Sequence, residues 1–284
     1  MIWRFSGRQM TFDVIRTVGI LNVTPDSFSD GGEFCSTTKA LDGALEMERV
    51  GADVIDIGGE STRPGARPVS EEEELGRILP VIAGLRKRTQ IPVSVDTTKP
   101  EVARRALKAG ADIINDINGL NASPEMAEVV KEFGAGFVLM HSRGTPETMQ
   151  RLAHYEDVVE EVFDELDQSL QKVRAVGVEM EQIILDPGIG FAKTAEQNLE
   201  LIARLRRFQA WGRPILVGPS RKSFIGSLTG KNPNERDWGS AAAVALAVAN
   251  GAHLVRVHRV DAMRDVVRVA EAIIPMRGRA CVRS

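Results

Sequence analysis

Polar residues recur where short apolar runs of this sequence end. A buried carboxylate or amide costs free energy unless it is paired or used, and local pairing explains one or two such residues in any chain. Here nearly every apolar run carries one, which predicts that they converge on a common site. The set comprises Asn22, Asp56, Asp96, Asn115, Asp116, His141, Asp186, Ser220, Lys222, Arg256 and His258.

The basic members of this set indicate an anion. Lys222, Arg256 and His258 lie near the last two apolar runs, and the turn at residues 220–223 is expected to begin a helix. Backbone amides at a helix start, together with cations, favour a phosphate-like group.

The acceptors indicate a second kind of ligand. Asp96, Asp186 and Asn115 present carboxylate and amide oxygens, which suit a flat, donor-rich heterocycle such as a guanine-like or pterin ring. The segments 24–32 and 58–66 are long and rich in Gly, Pro, Ser and Thr, so we expect them to be lids or binding loops. Neither segment matches a Walker phosphate loop or a dinucleotide fingerprint.

The elements that must position these residues alternate regularly along the chain. Eight short, continuously apolar runs are typical of strands covered on both faces. They are residues 18–23, 54–58, 93–96, 113–117, 136–141, 183–186, 215–217 and 254–258. Eight amphipathic segments with helical spacing follow them in turn. They are residues 39–50, 71–88, 100–109, 124–133, 155–176, 195–208, 235–250 and 261–273.

Eight strand–helix units predict an α/β protein, a single-domain (β/α)8 TIM barrel, for which 284 residues is an ordinary length. The helix-to-strand joins VGAD, AGAD and NGAH (50–53, 109–112 and 250–253) repeat one phrase and indicate a repeated unit. We expect residues 1–17 to form a short β-hairpin across the bottom of the barrel, residues 18–276 the barrel, and residues 277–284 a basic tail. A doubly wound open sheet is the alternative fold.

Composition limits the partners. A formal net charge of −3, from 36 basic and 39 acidic residues, argues against a nucleic-acid or anionic-membrane partner. The two cysteines, Cys35 and Cys281, fit free thiols in a reducing cytosol. Neither a signal peptide nor a membrane-spanning run is evident, so a cytoplasmic protein is expected.

The motifs around the polar residues resemble the dihydropteroate synthase family. The first two signatures, GILNVTPDSFSDGG at 19–32 and DIGGESTRPG at 56–65, are long and specific. Further matches are SVDT at 94–97, INDI at 114–117, MH at 140–141, DPGIGF at 186–191, GPSRKSF at 218–224 and RVH at 256–258. They occur in the order of the family and span residues 19 to 258.

The resemblance implies a reaction and a set of roles. The family condenses 6-hydroxymethyl-7,8-dihydropterin pyrophosphate with p-aminobenzoate to give 7,8-dihydropteroate and pyrophosphate, in folate biosynthesis. By resemblance, the pterin ring is held by Asp96, Asn115, Asp186, Lys222, Met140 and Arg256. The pyrophosphate is bound by Asn22, Thr62, Arg256 and His258, with Asn22 also a ligand of Mg²⁺. The catalytic residues are Asp96, Lys222, Arg256 and Asn22.

The resemblance also implies a mechanism. Mg²⁺ assists a dissociative, SN1-like substitution in which pyrophosphate leaves before the amine attacks, and Asp96 stabilises the pterin cation. The p-aminobenzoate pocket and lid loops comprise Phe28, Asp30, Thr62, Arg63, Pro64, Phe191 and Ser220. A homodimer is implied too, and the small side chains of residues 241–249 offer a face for close packing.

Two alternatives stay open: a pterin-binding methyltransfer module and a non-catalytic pterin-binding paralogue. The chain departs from the family at Arg259, where many members have Asp, which adds positive charge beside the pyrophosphate corner. We interpret Glu71 to Glu74 as a helix start that complements the helix dipole, not as an acidic site. Trp3, Trp211 and Trp238 are expected to be packing residues.

Overall fold

Short strands and longer helices alternate in the computed structural model, which describes residues 1–24, 32–62, 66, 68–118 and 123–274. The predicted tail at 277–284 lies outside the described residues. The strands are β1 (Ile2–Phe5), β2 (Arg8–Thr11), β3 (Arg16–Asn22), β4 (Val54–Gly58), β5 (Val93–Asp96), β6 (Ile113–Asp116), β7 (Gly136–Met140), β8 (Ile183–Asp186), β9 (Leu216–Val217) and β10 (Leu254–Val257). The α-helices are α1 (Gly32–Arg49), α2 (Glu71–Arg86), α3 (Pro100–Lys108), α4 (Pro124–Phe133), α5 (Val158–Val176), α6 (Ala195–Ala203), α7 (Ser223–Thr229), α8 (Asp237–Ala249) and α9 (Val260–Ile273).

Strands β3 to β10 form one parallel sheet in the order β8-β7-β6-β5-β4-β3-β10-β9. A parallel bridge between Leu185 and Ile215 joins the two ends of that order, so the sheet curls into a barrel. The predicted (β/α)8 barrel is therefore confirmed, and the open doubly wound sheet is excluded.

The helices differ most from the prediction in three places. The first helix begins at Gly32 rather than at residue 39, and the segment predicted as one helix at 195–208 is α6 followed by a 3₁₀ helix at Leu205–Trp211. The third difference follows β9. The segment after β9 contains an additional helix, α7, and the next helix begins at Asp237, after a 3₁₀ turn at Pro233–Glu235. Gly230, in the left-handed conformation with φ 70°, ends α7 and separates it from α8. The expectation that the turn at 220–223 begins a helix is confirmed. Within the described part of the chain, no α-helix combines the length and apolar character needed to cross a membrane.

The N-terminal hairpin, β1 and β2, closes the bottom of the barrel as predicted. Trp3 and Phe5 pack against the first inward side chain of seven strands, and Trp3 donates its indole N–H to the carbonyl of Gln182 at 2.8 Å. Those seven side chains are Val18, Val54, Ile113, Val138, Ile184, Leu216 and Leu254. Because side chains alternate along a strand, the residue two places further on each strand also points into the barrel. The bottom layer is apolar, so polar inward residues are confined to the upper layers.

The repeated helix-to-strand phrase has a common function in the fold. Its last residue accepts a hydrogen bond from the backbone N–H at the start of the preceding strand. Asp53 accepts from Thr17 at 2.8 Å, and Asp112 accepts from Val93 at 2.9 Å. In the third repeat His253 takes the place of the aspartate, and its Nδ1 accepts from Ile215 at 3.1 Å. The sequence repeat therefore corresponds to a repeated hydrogen bond that anchors neighbouring strands to each other.

His253 makes the third anchor sensitive to pH. Burial, ahead of the charge of the chain's amino terminus, lowers the pKa of His253 below its usual value. Folding therefore favours the neutral ring, and the stability it contributes is present above the unfolded-state pKa and is lost as the pH falls through the folded-state pKa. We expect the midpoint of thermal unfolding to drop between about pH 7.5 and pH 5, by an amount corresponding to about 1 kcal/mol for this hydrogen bond.

His253→Asp is the matched variant, since aspartate fills this position in the other two repeats. An aspartate remains an acceptor at pH 5, so the variant is expected to lose less stability than the parent on acidification. Thermal unfolding followed by circular dichroism measures both. Equal pH dependence in the two proteins would contradict the role assigned to His253.

Candidate functional site

The strand register brings the polar strand ends together. Asn22 pairs with Gly58, Gly58 with Asp96, and Asp96 with Asn115, so β3 to β6 end at one height. On the far side of the barrel, the ends of β7 and β8 pair Met140 with Asp186. The sequence-predicted residues on six strands therefore meet at one mouth, above the apolar bottom layer.

Arg256 crosses the inside of this mouth. Its Nε donates to Asp56 at 2.6 Å, and its Nη2 donates to Asp96 at 2.9 Å. Asn115 donates its Nδ2 to the same oxygen of Asp56 at 3.2 Å. Burial alone lowers the pKa of Arg256, but the charges of Asp56 and Asp96 outweigh it and raise that pKa, so the guanidinium stays charged. Asp56 is a site residue that the sequence indicated only as a polar residue inside an apolar run.

Three acceptors at the mouth have no donor among the described residues. They are one oxygen each of Asp56, Asp96 and Asn115, and all three are buried. A buried acceptor without a donor costs about 1–3 kcal/mol. Three such atoms around one mouth form a surface that matches a ligand edge carrying several N–H groups.

Burial also shifts the proton affinity of the charged groups. It raises the pKa of Asp96 to about 7, assisted by Asp56 and Glu74 and opposed by Arg256. Burial likewise raises the pKa of Asp186 to about 6, against the hydrogen bond from the Gly188 N–H at 2.7 Å. Burial, ahead of the nearby Arg256, lowers the pKa of Lys222 to about 8. Carboxyls shifted up and a lysine shifted down in one cleft are typical of a functional site.

An apolar cluster covers one side of the mouth. Met140 packs with Ile117, Met149, Phe191 and Ala192. The ammonium of Lys222 lies 3.9 Å from the centre of the Phe191 ring, a cation–π contact. The site therefore offers a flat apolar surface beside its polar acceptors.

The predicted anion residues lie at the β9 and β10 end of the mouth. The hydroxyl of Ser220 bonds to His258 Nδ1 at 2.9 Å and accepts from the His258 backbone N–H at 3.3 Å. Between Ser220 and Lys222, Arg221 adopts the left-handed conformation, φ 58°, and donates to Asp237 at 2.8 Å. Arg259 is half exposed and bonds to Asp261 at 2.9 and 2.8 Å, so its charge is paired outside the site.

A cavity of about 260 Å³ lies above Asp96 and Phe191. Thr62 lines it, together with residues 97–99 and the loop at 142–147. The other predicted side chains lie at the strand ends beside it. Phe28, Asp30, Arg63 and Pro64, which the sequence assigns to the lid loops, lie outside the described residues.

The second loop is the segment at residues 58–66, after β4. Its base is anchored by Lys99, a residue that the sequence did not single out. Lys99 bonds to Glu60 and, at 2.6 Å, to Glu74, which is 1% exposed. Residues 71–74 begin α2 as predicted, and Glu74 has an additional role because helical spacing turns this member inward. A Cβ at Gly59 would lie 2.8 Å from Cγ2 of Ile78. The start of the loop therefore packs closely against α2.

The described residues contain no group of three or more His, Cys, Asp and Glu side chains that could hold a metal ion. Asn22, at the end of β3, presents an amide oxygen at the mouth, and the nearest strand neighbour is Gly58. Magnesium is commonly bound by one or two protein oxygens together with substrate phosphates and water. This donor set fits an ion that binds with an anionic substrate rather than a protein cage.

The sequence of this chain is similar to those of known proteins. Residues 18–258 match the family described as pterin binding enzyme. A dihydropteroate synthase of Synechocystis is 52% identical over 257 residues, covering 90% of this chain and 89% of that one. The dihydropteroate synthase of Escherichia coli is 47% identical over 257 residues, covering 90% and 91%.

Solved structures similar to this chain include dihydropteroate synthases as well. The dihydropteroate synthase of Xanthomonas albilineans with 4-aminobenzoic acid superposes with a TM-score of 0.89 at 44% identity, covering 96% of this chain and 98% of that one. The same enzyme in complex with 7,8-dihydropteroate gives a TM-score of 0.85 at 41% identity, covering 95% and 98%. With a family match over most of its length and relatives of this identity, the chain belongs to the pterin-binding enzymes, in the dihydropteroate synthase family.

Proposed function

We infer that this chain catalyses the condensation of 6-hydroxymethyl-7,8-dihydropterin pyrophosphate with p-aminobenzoate to give 7,8-dihydropteroate and pyrophosphate. The observation that carries this inference is the set of three buried acceptor atoms without a donor, one each on Asp56, Asp96 and Asn115, on the neighbouring strands β4, β5 and β6. The solved relatives bind 4-aminobenzoic acid and 7,8-dihydropteroate, which are the second substrate and the product of this reaction.

The strand ends form the pterin site. The N–H groups on the edge of a pterin ring complete the hydrogen bonds of Asp96, Asn115 and Asp186. Met140 lies beneath the ring, and Arg256 stacks near it while Asp56 and Asp96 hold its guanidinium in place. Lys222 completes this site from the opposite side.

The pyrophosphate lies at the β9 and β10 end, with Asn22, Thr62, Arg256 and His258. Asn22 would hold Mg²⁺, which when bound would supply charge neutralisation to the leaving group. The bond between the pterin methylene carbon and the pyrophosphate oxygen breaks first, and pyrophosphate keeps the electron pair. The negative charge of Asp96 stabilises the resulting pterin cation in the closed site.

The second substrate then forms the new bond. The neutral aniline nitrogen of p-aminobenzoate attacks the methylene carbon and afterwards releases one proton, so no strong general base is required. Phe191, Ser220 and Thr62 are the described members of its pocket, where Phe191 offers an apolar wall and Ser220 a hydroxyl for the carboxylate. Phe28, Asp30, Arg63 and Pro64, which the resemblance assigns to the same pocket, lie outside the described residues.

This reaction is favoured over both alternatives left by the sequence. A methyltransfer module needs no anion pocket, whereas this chain has the basic residues Lys222, Arg256 and His258 in or next to the segments that follow β9 and form β10. A non-catalytic paralogue is disfavoured by identities of 47% and 52% to dihydropteroate synthases. A cytoplasmic location stays a prediction.

Asp96→Asn tests the pterin and cation roles together. The variant keeps the shape of the side chain but removes the charge that stabilises the cation, so kcat is expected to fall about 100-fold or more. Dihydropteroate formation and pyrophosphate release are measured with both substrates and Mg²⁺. Because burial raises the pKa of Asp96 to about 7, the parent activity is expected to decline as the pH falls below that value.

Asp116→Asn is the matched control. Asp116 is also fully buried, but it follows Asn115 on the strand and its side chain bonds to the backbone N–H of Asn118 at 2.9 Å, on the other face. It is expected to keep most of the parent activity. Equal losses in the two variants, or an Asp96→Asn protein of parental activity, would contradict the assignment.

The proposed metal role is tested at Asn22. Removing Mg²⁺ with a chelator is expected to abolish turnover, and Asn22→Ala is expected to raise the Mg²⁺ concentration for half-maximal activity about tenfold. Asn232→Ala, at an exposed asparagine before the 3₁₀ turn, serves as the control. An unchanged Mg²⁺ requirement in Asn22→Ala would exclude Asn22 as a ligand.

We also propose that the chain is a homodimer through α8 and α9. On α8, Trp238 is 86% exposed and Leu246 54%, and they lie with Ala242 on one face at four-residue spacing. On α9, Val269 and Ile273 are 59% and 54% exposed. Trp238 therefore does not pack within the chain, contrary to expectation, whereas Trp3 is buried. Contiguous exposed apolar residues mark protein interfaces.

Leu246→Glu places a charge at the centre of this surface. It is expected to convert a dimer into a monomer at micromolar concentration, because an unpaired buried charge opposes association. Light scattering coupled to size exclusion measures the mass. Val14→Glu, at an apolar residue that is 48% exposed at the other end of the barrel, is expected to leave the dimer intact. A monomeric parent would rule out the proposal.

A further inference from the structure

The segment between β8 and α6 is unusually constrained. Three of its residues adopt the left-handed conformation: Gly188 with φ 70°, Gly190 with φ 86° and Ala192 with φ 49°. A non-glycine residue in this region is strained, and Ala192 is fully buried there. Such strain persists only when the surroundings fix the backbone, so other groups must hold this segment in place.

The two glycines allow the segment to lie close to the site. A Cβ at Gly188 would lie 1.9 Å from the carbonyl oxygen of His141, and one at Gly190 would lie 2.7 Å from Cδ of Lys222. The backbone therefore passes between the end of β7 and the stem of Lys222. A shift of this segment would therefore press on the end of β7 or on the Lys222 side chain.

Buried and partly buried side chains bind this backbone at alternate residues. Asp186 accepts from the Gly188 N–H at 2.7 Å, and Asn198 accepts from the Gly190 N–H at 2.6 Å. The Tyr155 hydroxyl donates to the Ala192 carbonyl at 3.0 Å. These groups fix the backbone on either side of Phe191.

Lys193 binds the backbone carbonyl of Phe191 itself. Its ammonium donates to the Phe191 carbonyl at 2.9 Å and lies 2.9 Å from His141 Nδ1. Burial, ahead of Lys193, lowers the pKa of His141 to about 4, so the ring is neutral and accepts at Nδ1. His141 Nε2 then donates to Glu165 at 2.9 Å, and Arg143 also donates to Glu165. A buried lysine is thus held by a chain of hydrogen bonds that leads to the edge of α5.

Only 3% of Lys193 is exposed, and no contact assigns it to the ligands of the proposed reaction. A buried lysine costs considerable free energy of desolvation, and burial lowers the pKa of Lys193 to about 7. One of its two hydrogen bonds goes to the main chain of Phe191, the residue whose ring covers Lys222 and lines the cavity, and the other goes to His141.

We propose that Lys193 is a positioning residue that holds the Phe191 ring as a fixed wall of the p-aminobenzoate pocket. The inference rests on the proposed function. Lys193 acts through the carbonyl of Phe191, supported by His141 and Glu165, and does not touch the substrates. A wall placed in advance spares the second substrate the cost of ordering it.

The test is a double-mutant cycle between Lys193 and Phe191, measured by dihydropteroate formation in the full chain. Lys193→Met is expected to raise KM for p-aminobenzoate about tenfold, and to change KM for the pterin pyrophosphate by less than about threefold. In a Phe191→Ala background the same change is expected to add less than about threefold to KM for p-aminobenzoate, because the wall is already absent.

Three further variants separate positioning from general stability. Lys131→Met is the matched control, since Lys131 also donates to a backbone carbonyl, that of Val176 at 2.9 Å, but on the surface. It is expected to leave both KM values unchanged. Lys193→Arg, which keeps a cationic donor, is expected to recover part of the loss. Tyr155→Phe, which removes the bond to Ala192, is expected to raise KM for p-aminobenzoate less than Lys193→Met does.

Additive effects in the cycle, or equal rises in both KM values, would overturn the proposal. If circular dichroism shows that Lys193→Met does not fold, Lys193→Arg and Tyr155→Phe complete the same cycle with Phe191→Ala. A parent chain that forms no dihydropteroate would contradict the proposed function instead. The cycle would then be measured by calorimetric binding of p-aminobenzoate in the presence of pyrophosphate and Mg²⁺, where additivity would again overturn the role of Lys193.

Discussion

The ion pairs of Arg256 with Asp56 and Asp96 are the interaction on which the rest of the site depends. They join β10 to β4 and β5 inside the barrel, at 2.6 and 2.9 Å. Two carboxylates this deeply buried would otherwise repel one another and take up protons. The guanidinium offsets their charge, yet it uses only one oxygen of each, and the other oxygen stays without a donor among the described residues. The arrangement therefore combines charge balance with buried acceptors that are left without a donor.

A closed barrel makes that arrangement possible. The apolar bottom layer, capped by Trp3 and Phe5, excludes water from below and lowers the local dielectric. Polar side chains above this layer then interact strongly, and burial shifts the pKa values of Asp96, Asp186 and Lys222 toward neutrality. The same layering separates the apolar bottom of the barrel from the mouth that carries the polar site residues.

Outside the barrel, the partly buried Lys99 and the buried Lys193 support the loops that surround the mouth. Lys99 links the base of the second loop to α2 through Glu60 and Glu74, and Lys193 holds the segment that carries Phe191. Each lysine is bound by carboxylates, carbonyls or an imidazole rather than by solvent. The loops around the mouth are thus built on rigid supports at these two points, consistent with a site in which substrate geometry must be set closely.

The sequence alone determined the barrel and most of the site, because both depend on local regularities. Alternating apolar runs and helical spacing specified eight strand–helix units, and residues such as Asp96, Asp186 and Lys222 were recognised by their position at the ends of those runs. Long-range pairing was decided only by the tertiary structure. Asp56 and Arg256 are separated by 200 residues, and Glu74 resembles its exposed neighbours until helix packing turns it inward. The role proposed for Lys193 depends on contacts with His141, 52 residues away, which no local pattern contains because the closure of the barrel brings them together.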